Sequence, residues 1–378
     1  MFTLDGQYER NLKVVGEKFL ITLILKGDVK EKAVRVVVNS GWGMRHNTIW
    51  SAFLFLFLCF GIATWAAAQN VRLYVDNSEG DDVSVINLKT LNTVDDIRLG
   101  DRVHGLAIQA DGRRLFATIE SDNTLRVVDT ATDKGIATIK LTGRPNQCAV
   151  TPDGHYVAVP IRDKNAVDIV DVQQQKVVKT LPVSKPHNAF NAGSNSYLFV
   201  SAMGAEQINV IDLTTMTYSA KITVGGIPRP YVVTPDGTTM YVAVTDLHGF
   251  MKVDVASGKM QRVAMPSENH TPKQRPFEPS NTLTHGLALS PDGTELWVTS
   301  LLDDSLYVYD VKANKITGRV QVGDGPNWVT FSPDGRYVCV SNTGTDDVSI
   351  IDVRTRREVK RVKVGKAPKR IVAALLGA

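Results

Sequence analysis

GDGPNWVTFSPDGRYVCVSNTGTDDVSIIDVRTRREVKRVKVG, residues 323–365, reads as four short β-strands. Residues 328–332 are apolar and β-prone, and the turn Pro333-Asp334-Gly335 stops them. Residues 337–340 follow, then the loop 341–347, then 348–351 with a turn opened by Asp352. Residues 358–364 alternate and end at Gly365. Short alternating runs between turn residues are strands rather than helices. Asp suits these turns because its carboxylate bonds nearby backbone N–H groups, and Gly because it tolerates positive φ.

The same unit recurs along the chain. The Gly of Pro-Asp-Gly, or of a near copy, falls at Gly112, Gly154, Gly237, Gly293 and Gly335. Residues 192–195 fill the missing slot, with Asn195 in place of Gly. Successive spacings are 42, 41, 42, 56 and 42, so the long interval is one repeat plus a 14-residue insertion. The turn slot of Asp352 is held elsewhere by Asn87, Asp129, Asp171, Asp212, Asp254 and Asp310, all read as structural. Four strands per unit of about 42 residues is a propeller pattern. The first of seven units, residues 71–100, lacks its opening strand. Residues 369–374 repeat that strand at the other end of the chain, with nothing after them. The expectation is an all-β fold: a seven-bladed β-propeller over residues 70–378. Its blades are four-stranded, and the C-terminal strand completes the first. Closure of this kind removes free strand edges.

The units Gly-x-x-Pro, Ser-Pro-Asp-Gly and Val-x-x-Ile-Asp, clearest in residues 323–365, resemble the YVTN-type β-propeller repeat. The resemblance spans essentially all of residues 70–378. It implies a secreted bacterial or archaeal propeller. Such propellers serve as surface or periplasmic proteins, as sugar lactonases, as the haem d1 domain of nitrite reductases, and as subunits of amine dehydrogenases and hydrazine synthase. Fold does not choose among these.

Residues 44–69 have a basic start at Met44-Arg45-His46, an apolar run over 52–63, and Ala66-Ala67-Ala68 before Gln69. This is a signal-peptide pattern, with cleavage expected after Ala68. The apolar run is short for a membrane span of roughly 20 residues. Residues 44–68 are therefore read as the signal and 1–43 as an overlong gene start, the alternative being a cytoplasmic extension with a signal anchor. A periplasmic or extracellular location follows, with no stable membrane span after cleavage. Residues 1–68 hold eight Lys/Arg and five Asp/Glu, leaving 35 basic and 34 acidic residues in the body. A body so near neutral gives no electrostatic case for nucleic acid. Cys148 and Cys339 fall on distant units and are expected as buried thiols rather than a disulfide.

Aligned units bring one position into register: His104, Asn146, His187, Arg229, His285, Asn327 and Lys369. All seven are polar and begin inner strands, so they are expected to ring a solvated channel mouth. His104, His187 and His285 occupy alternate blades and could hold a metal with one open position. Arg229 and Lys369 could instead bind an anion. The insertion, residues 266–282, is polar and Pro-rich and directly precedes His285. Its His270, Arg275, Phe277 and Glu278 are candidates to meet a partner or ligand. The Asp-rich loops at Asp81-Asp82, Asp122, Asp163, Asp303-Asp304 and Asp346-Asp347 lack calcium-site spacing, and turn formation explains them. No C-x-x-C-H, Walker loop or G-x-S-x-G elbow occurs. The sequence thus favours a non-catalytic exported propeller that offers one face to a protein partner or small ligand, plausibly in a periplasmic redox system, with no cofactor expected. The alternatives are a haem-free subunit of a multi-component oxidoreductase, amine dehydrogenase-like or hydrazine synthase-like, and an enzyme, lactonase-like or metal-dependent.

Overall fold

The computed structural model describes residues 8–15, 18–25, 32–39, 70–266, 271–274 and 281–376. Residues 1–68 and 69–378 form two compact units. In the first, Tyr8–Val15, Lys18–Leu25 and Lys32–Asn39 make an antiparallel three-stranded sheet. The expected signal peptide lies outside the described residues. Among the described residues no helix is long and apolar enough to cross a membrane.

The second unit is a seven-bladed propeller of four-stranded antiparallel blades. Its only helical elements among the described residues are the short 3-10 turns Arg162–Lys164 and Met203–Ala205. Blade 1 takes its inner strand, Pro368–Leu376, from the C-terminus, followed by Asn70–Asn77, Asp82–Asn87 and Asn92–Arg98. Leu376 pairs with Asn70 and Pro368 with Asn77 along this seam. Blades 2 to 7 follow in chain order. Their inner strands are Val103–Ile108, Ala149–Val150, Pro186–Phe190, Pro228–Val233, Thr284–Leu289 and Pro326–Phe331. Neighbouring inner strands touch in blade order, and blade 7 touches blade 1, which closes the ring.

Strand patterning explains the packing. Middle strands such as Tyr337–Asn342 are buried on both sides, because each blade is sandwiched between two others. Seven apolar clusters result, one per blade interface. Leu73, Val75 and Ile86 of blade 1 meet Cys339, Val348 and Ile350 of blade 7, for example. Cys148 lies in the cluster between blades 2 and 3. Both cysteines are buried and free, as expected, and burial raises both thiol pKa values. Outer strands such as Arg357–Lys363 bury only Val362 and expose charges, which protects the rim from edge pairing.

The turns obey the chemistry read from the sequence. Ser332 Oγ donates to Asp334 Oδ1 at 2.5 Å, and Gly335 N–H donates to Ser332 O at 2.8 Å with Gly335 at φ +68°. Asp352 Oδ1 accepts from Thr355 N at 2.8 Å, and Asp129, Asp171, Asp212, Asp254, Asp310 and Asn87 accept from turn amides in the same way. Blade 4 departs from the reading. There the left-handed residue is Gly193 at φ +82°, not Asn195. Asn191 Oδ1 accepts from Gly193 N at 2.7 Å, which moves the bend two residues earlier. Asn195 instead receives Asp153 N at its side-chain oxygen, 3.1 Å away, and caps the turn of blade 3.

Removing residues 368–378 would strip the seam that joins the two ends of the propeller in blade 1 and leave the edge of Asn70–Asn77 unpaired. We expect a melting-temperature loss above about 10 °C, because several kcal/mol are removed and each is worth roughly 2–4 °C at this size. Calorimetry of the truncated chain checks this. An unchanged transition would refute the role of the seam.

Candidate functional site at the channel mouth

Each of the seven aligned positions lies at the start of an inner strand, so closure of the ring gathers them at one end. In six blades the inner strand opens with a register shift beside this position, for instance between Pro326 and Trp328 or between Pro368 and Ile371. A bulge of this kind re-aims side chains and ends regular pairing.

Most of the ring is buried. Asn146 and Asn327 are fully buried, His285, Arg229 and Lys369 nearly so, and His104 and His187 are half-buried. Burial requires partners. His285 Nδ1 donates to Asn327 O at 2.8 Å. His187 Nδ1 meets Asn188 Oδ1. His104 Nδ1 stands 3.3 Å from Glu120, whose Oε1 also lies 3.4 Å from Arg162. Arg229 Nε donates to Thr245 Oγ1 at 3.0 Å. Two amide nitrogens, Asn146 Nδ2 and Asn188 Nδ2, are buried with no hydrogen-bond partner among the described residues.

The position after the ring residue matters equally, and sequence alignment alone passed over it. Arg370, 2% exposed, lies with its guanidinium 5.0 Å from the ring centroid of Trp328. His285 meets the same indole edge-on at 6.1 Å. In blades 2 and 6 this position is glycine. A Cβ on Gly105 would sit 2.6 Å from Gln147 Cα, and one on Gly286 would sit 2.8 Å from Asn327 O, so the next blade approaches too closely for a side chain.

A third position supports the ring from the second strand of each blade. It holds Asp76, Thr118, Pro160, Ser201, Ala243, Thr299 and Ser341. The hydroxyls staple the mouth. Thr118 Oγ1 donates to Asn146 O of the next blade at 2.6 Å, and Ser341 Oγ donates to Lys369 O at 2.5 Å. Ser201 Oγ accepts from Asn188 N at 2.8 Å, and Thr299 Oγ1 from Gly286 N at 2.7 Å. In blade 1 the slot holds a carboxylate. Asp76 Oδ1 accepts both Lys369 N, at 2.9 Å, and Arg370 N, at 2.6 Å.

The electrostatics are cationic. Burial first, then Arg370, Lys369, Arg162 and His187, holds the His104 imidazole well below its ordinary pKa. These outweigh Glu120, which alone would favour the charged form. Burial, then Arg370 and Arg229, does the same for His187, which also senses His285. The imidazoles are thus neutral at pH 7 and sit within one another's field. Burial drives Asp76 up to about 7, although Arg370 and the two backbone bonds pull the other way. Among the described residues no group of three or more His, Cys, Asp or Glu side chains stands arranged to hold a metal ion.

Of the insertion, His270, Arg275, Phe277 and Glu278 lie outside the described residues. Lys273 is described, and its ammonium pairs with Asp304 and, at 3.3 Å, with Asp324. Asp324 is three residues before Asn327, which places this part of the insertion on the mouth face. The Asp-rich loops serve local structure. Asp304 Oδ1 accepts Gly325 N at 3.0 Å, Asp163 Oδ1 accepts Arg144 N at 2.8 Å, and Asp122 pairs with Arg126 at 2.6 Å.

The chain belongs to the YNCE-like β-propeller family, whose model matches residues 55–375. The YVTN-type repeat is a close neighbour of that family rather than the same one. No protein of curated function matches the sequence. Among solved structures the chain is similar to hydrazine synthase of Kuenenia stuttgartiensis, with a TM-score of 0.64 and 19% identity over 75% of this chain and 92% of that one. It is similar to the dihydro-haem d1 dehydrogenase NirN in complex with DHE, with a TM-score of 0.58 and 17% identity over 80% and 74%. It also resembles a putative 6-phosphogluconolactonase of Bacteroides fragilis, with a TM-score of 0.65 and 16% identity over 82% and 99%. At these identities the likeness is one of fold.

Asp76 gives the site a stability signature. Its folded pKa lies above the unfolded value near 4, so the folded state binds the extra proton between about pH 4 and about 7. Its contribution is therefore fully favourable below that window and is lost as pH rises through it, by up to roughly 4 kcal/mol. Asp76→Asn keeps an acceptor for both amides. Denaturant unfolding should show the variant gaining on the native chain from pH 4 to pH 7 and holding that gain at pH 8. A constant difference across this range would refute the assignment.

Proposed function

We propose that this protein is a binding propeller that receives a small anionic ligand at its channel mouth and makes or breaks no bond itself. The observation that carries this reading is the company kept by His104 and His187: after burial, which comes first, Arg370, Lys369, Arg162 and Arg229 are the charges that hold them well below their ordinary pKa. A cationic, low-dielectric mouth favours an anion and penalises a metal cation. Asn146 Nδ2 and Asn188 Nδ2 add two buried donors that an oxyanion could satisfy. Carboxylates and other oxyanions match guanidinium geometry. On this reading Arg370, Lys369 and Arg229 supply charge, Trp328 supplies a flat wall, and the neutral imidazoles supply hydrogen bonds.

The face around the mouth, with the insertion tethered there through Lys273, is where we place a protein partner. The leader pattern of residues 44–69 supports reading the protein as exported. A place beside redox enzymes outside the cytoplasm is consistent with fold neighbours such as hydrazine synthase. N-terminal sequencing of the native protein should find Gln69, and an N-terminus at Met1 would overturn export by cleavage.

Trp328 reports on the site directly. Titrating the full chain with oxalate, a constant dianion at neutral pH, should change its tryptophan emission saturably, with a dissociation constant below about 1 mM. Arg370→Gln and Arg229→Gln should each weaken binding at least about tenfold, the value of one charge-assisted bond. Trp328→Phe should abolish the signal while calorimetry still detects binding. No saturation by about 10 mM would sink the anion reading. Stoichiometric zinc or copper in native protein, lost in His187→Ala, would instead establish His104, His187 and His285 as metal ligands.

A further inference from the structure

Asp76 breaks a pattern that the other blades keep. At its position every other blade carries a neutral residue, and four of the six carry a hydroxyl. Those hydroxyls do two jobs: they accept a backbone N–H at the bulge, as Ser201 and Thr299 do, and they donate to a ring residue of the next blade, as Thr118 and Ser341 do. Asp76 performs the first job twice over, through Oδ1. Its other oxygen takes no part in the second. Asp76 Oδ2 is buried and has no hydrogen-bond partner among the described residues. A buried carboxylate oxygen with no donor carries charge at high cost, and a proton on it removes that charge. The geometry of the slot therefore fits the acid form.

The location gives this proton a consequence. The two amides held by Asp76 belong to Lys369 and Arg370, which carry two of the three buried cations of the mouth. Ionised, Asp76 offsets one of those charges from below. Protonated, it withdraws that offset. We propose that the mouth takes up its anion together with a proton, and that Asp76 is the residue that carries the proton. This rests on the anion reading of the site and specifies its regulation: the ligand class is an oxyanion held more tightly in acid than in alkali.

The groups around Asp76 allow it to act alone in the neutral range. From its own blade it faces Lys369 and Arg370. From the inner strand of blade 3 it senses Cys148, whose thiol burial pushes up to about 12. The same Lys369 and Arg370 also act on His104 of blade 2, beside which stand Glu120 and, from blade 3, Arg162. Burial and then the cations hold His104 and His187 well below their ordinary pKa, away from the range in which Asp76 titrates. An anion bound near Asp76 disfavours its ionisation, and by linkage the proton favours the anion to the same degree. The sign is fixed: affinity is highest where Asp76 is protonated and falls as pH rises through about 7.

The probe is sulfate, a dianion throughout this range, titrated calorimetrically into the full chain. Native protein should bind it about tenfold more weakly at pH 8 than at pH 6, the scale of a single coupled proton. It should also take up a fraction of a proton per sulfate at pH 8, read from the dependence of heat on buffer ionisation enthalpy. Asp76→Asn should bind equally at both pH values, near the native level at pH 6. Asp76→Thr, which restores the hydroxyl of the other blades, should behave likewise and controls for folding. Native binding with no pH slope, or a slope that survives in both variants, would overturn the proposal while leaving the anion site intact. Failure of native protein to bind sulfate or oxalate at any pH would overturn the anion reading itself, and this inference with it.

Discussion

The pairing of Pro368–Leu376 with Asn70–Asn77 is the constraint on which the rest depends. A four-stranded blade buries neither of its faces alone. Each must be covered by a neighbour, and the covering succeeds everywhere only if the stack closes. The seam also joins the chain's most distant contacts, as the Lys369 N bond to Asp76 across 293 residues illustrates. Contacts of that separation cost loop entropy before they return stability. They are therefore the last that folding can complete, and the ring stays open until they form.

Closure also creates the mouth. Seven inner strands that begin at the same end must bring their first residues together, whatever those residues are. Apolar side chains there would seal the channel. Polar ones offset burial with hydrogen bonds, some within their own blade, as Arg229 to Thr245, and some across to the next, as His285 to Asn327 O, while Thr118 and Ser341 hold the carbonyls of Asn146 and Lys369. The mouth is thus held from outside by a second layer that is nearly uniform, so its variation lies in the inward side chains. This separation of scaffold from variable lining is what lets one architecture host unrelated ligands.

The blades were legible in the sequence because their signals are local and repeat. The turns of Asp352 and Gly335 depend on residues within four positions, and strand alternation depends on the pleat alone. The ring was legible because a fixed repeat length carries register with it. Blade 4 was misread at Asn195 because two residue types, Asn and Gly, can supply the bend, and the Asn191 side chain decides between them. Arg370 and Trp328 escaped notice for another reason. Their position holds Gly105, Gln147, Asn188, Pro230, Gly286 and the pair itself, so no shared chemistry marks it. Their significance is a stacking across blades 7 and 1, visible only once the ring is closed. Asp76 left a fainter trace, as the one charge in a column of neutral residues, but that column has meaning only when its hydroxyls are seen to staple the bulges. Alignment counts the polar residues of the ring but cannot measure how tightly seven strands converge, so the burial of Asn146 and Asn327 was not legible in it.

The cationic lining and the buried acid belong to one argument. Three buried cations beside three imidazoles would be costly in an apolar interior. Burial and the cations hold the His104 and His187 imidazoles well below their ordinary pKa, and in blade 1 a carboxyl group lies beneath Lys369 and Arg370. A fully ionised partner would neutralise the site and weaken its hold on an external anion. A carboxylate poised near neutrality does neither permanently. Ionised, it opposes the two cations at a cost in stability, and protonated, it withdraws that opposing charge, so its proton bears on the same two side chains that would meet a ligand. A serine or threonine, which other blades show to be sterically acceptable, would staple the strand equally well. The carboxylate in that slot therefore serves the mouth rather than the fold.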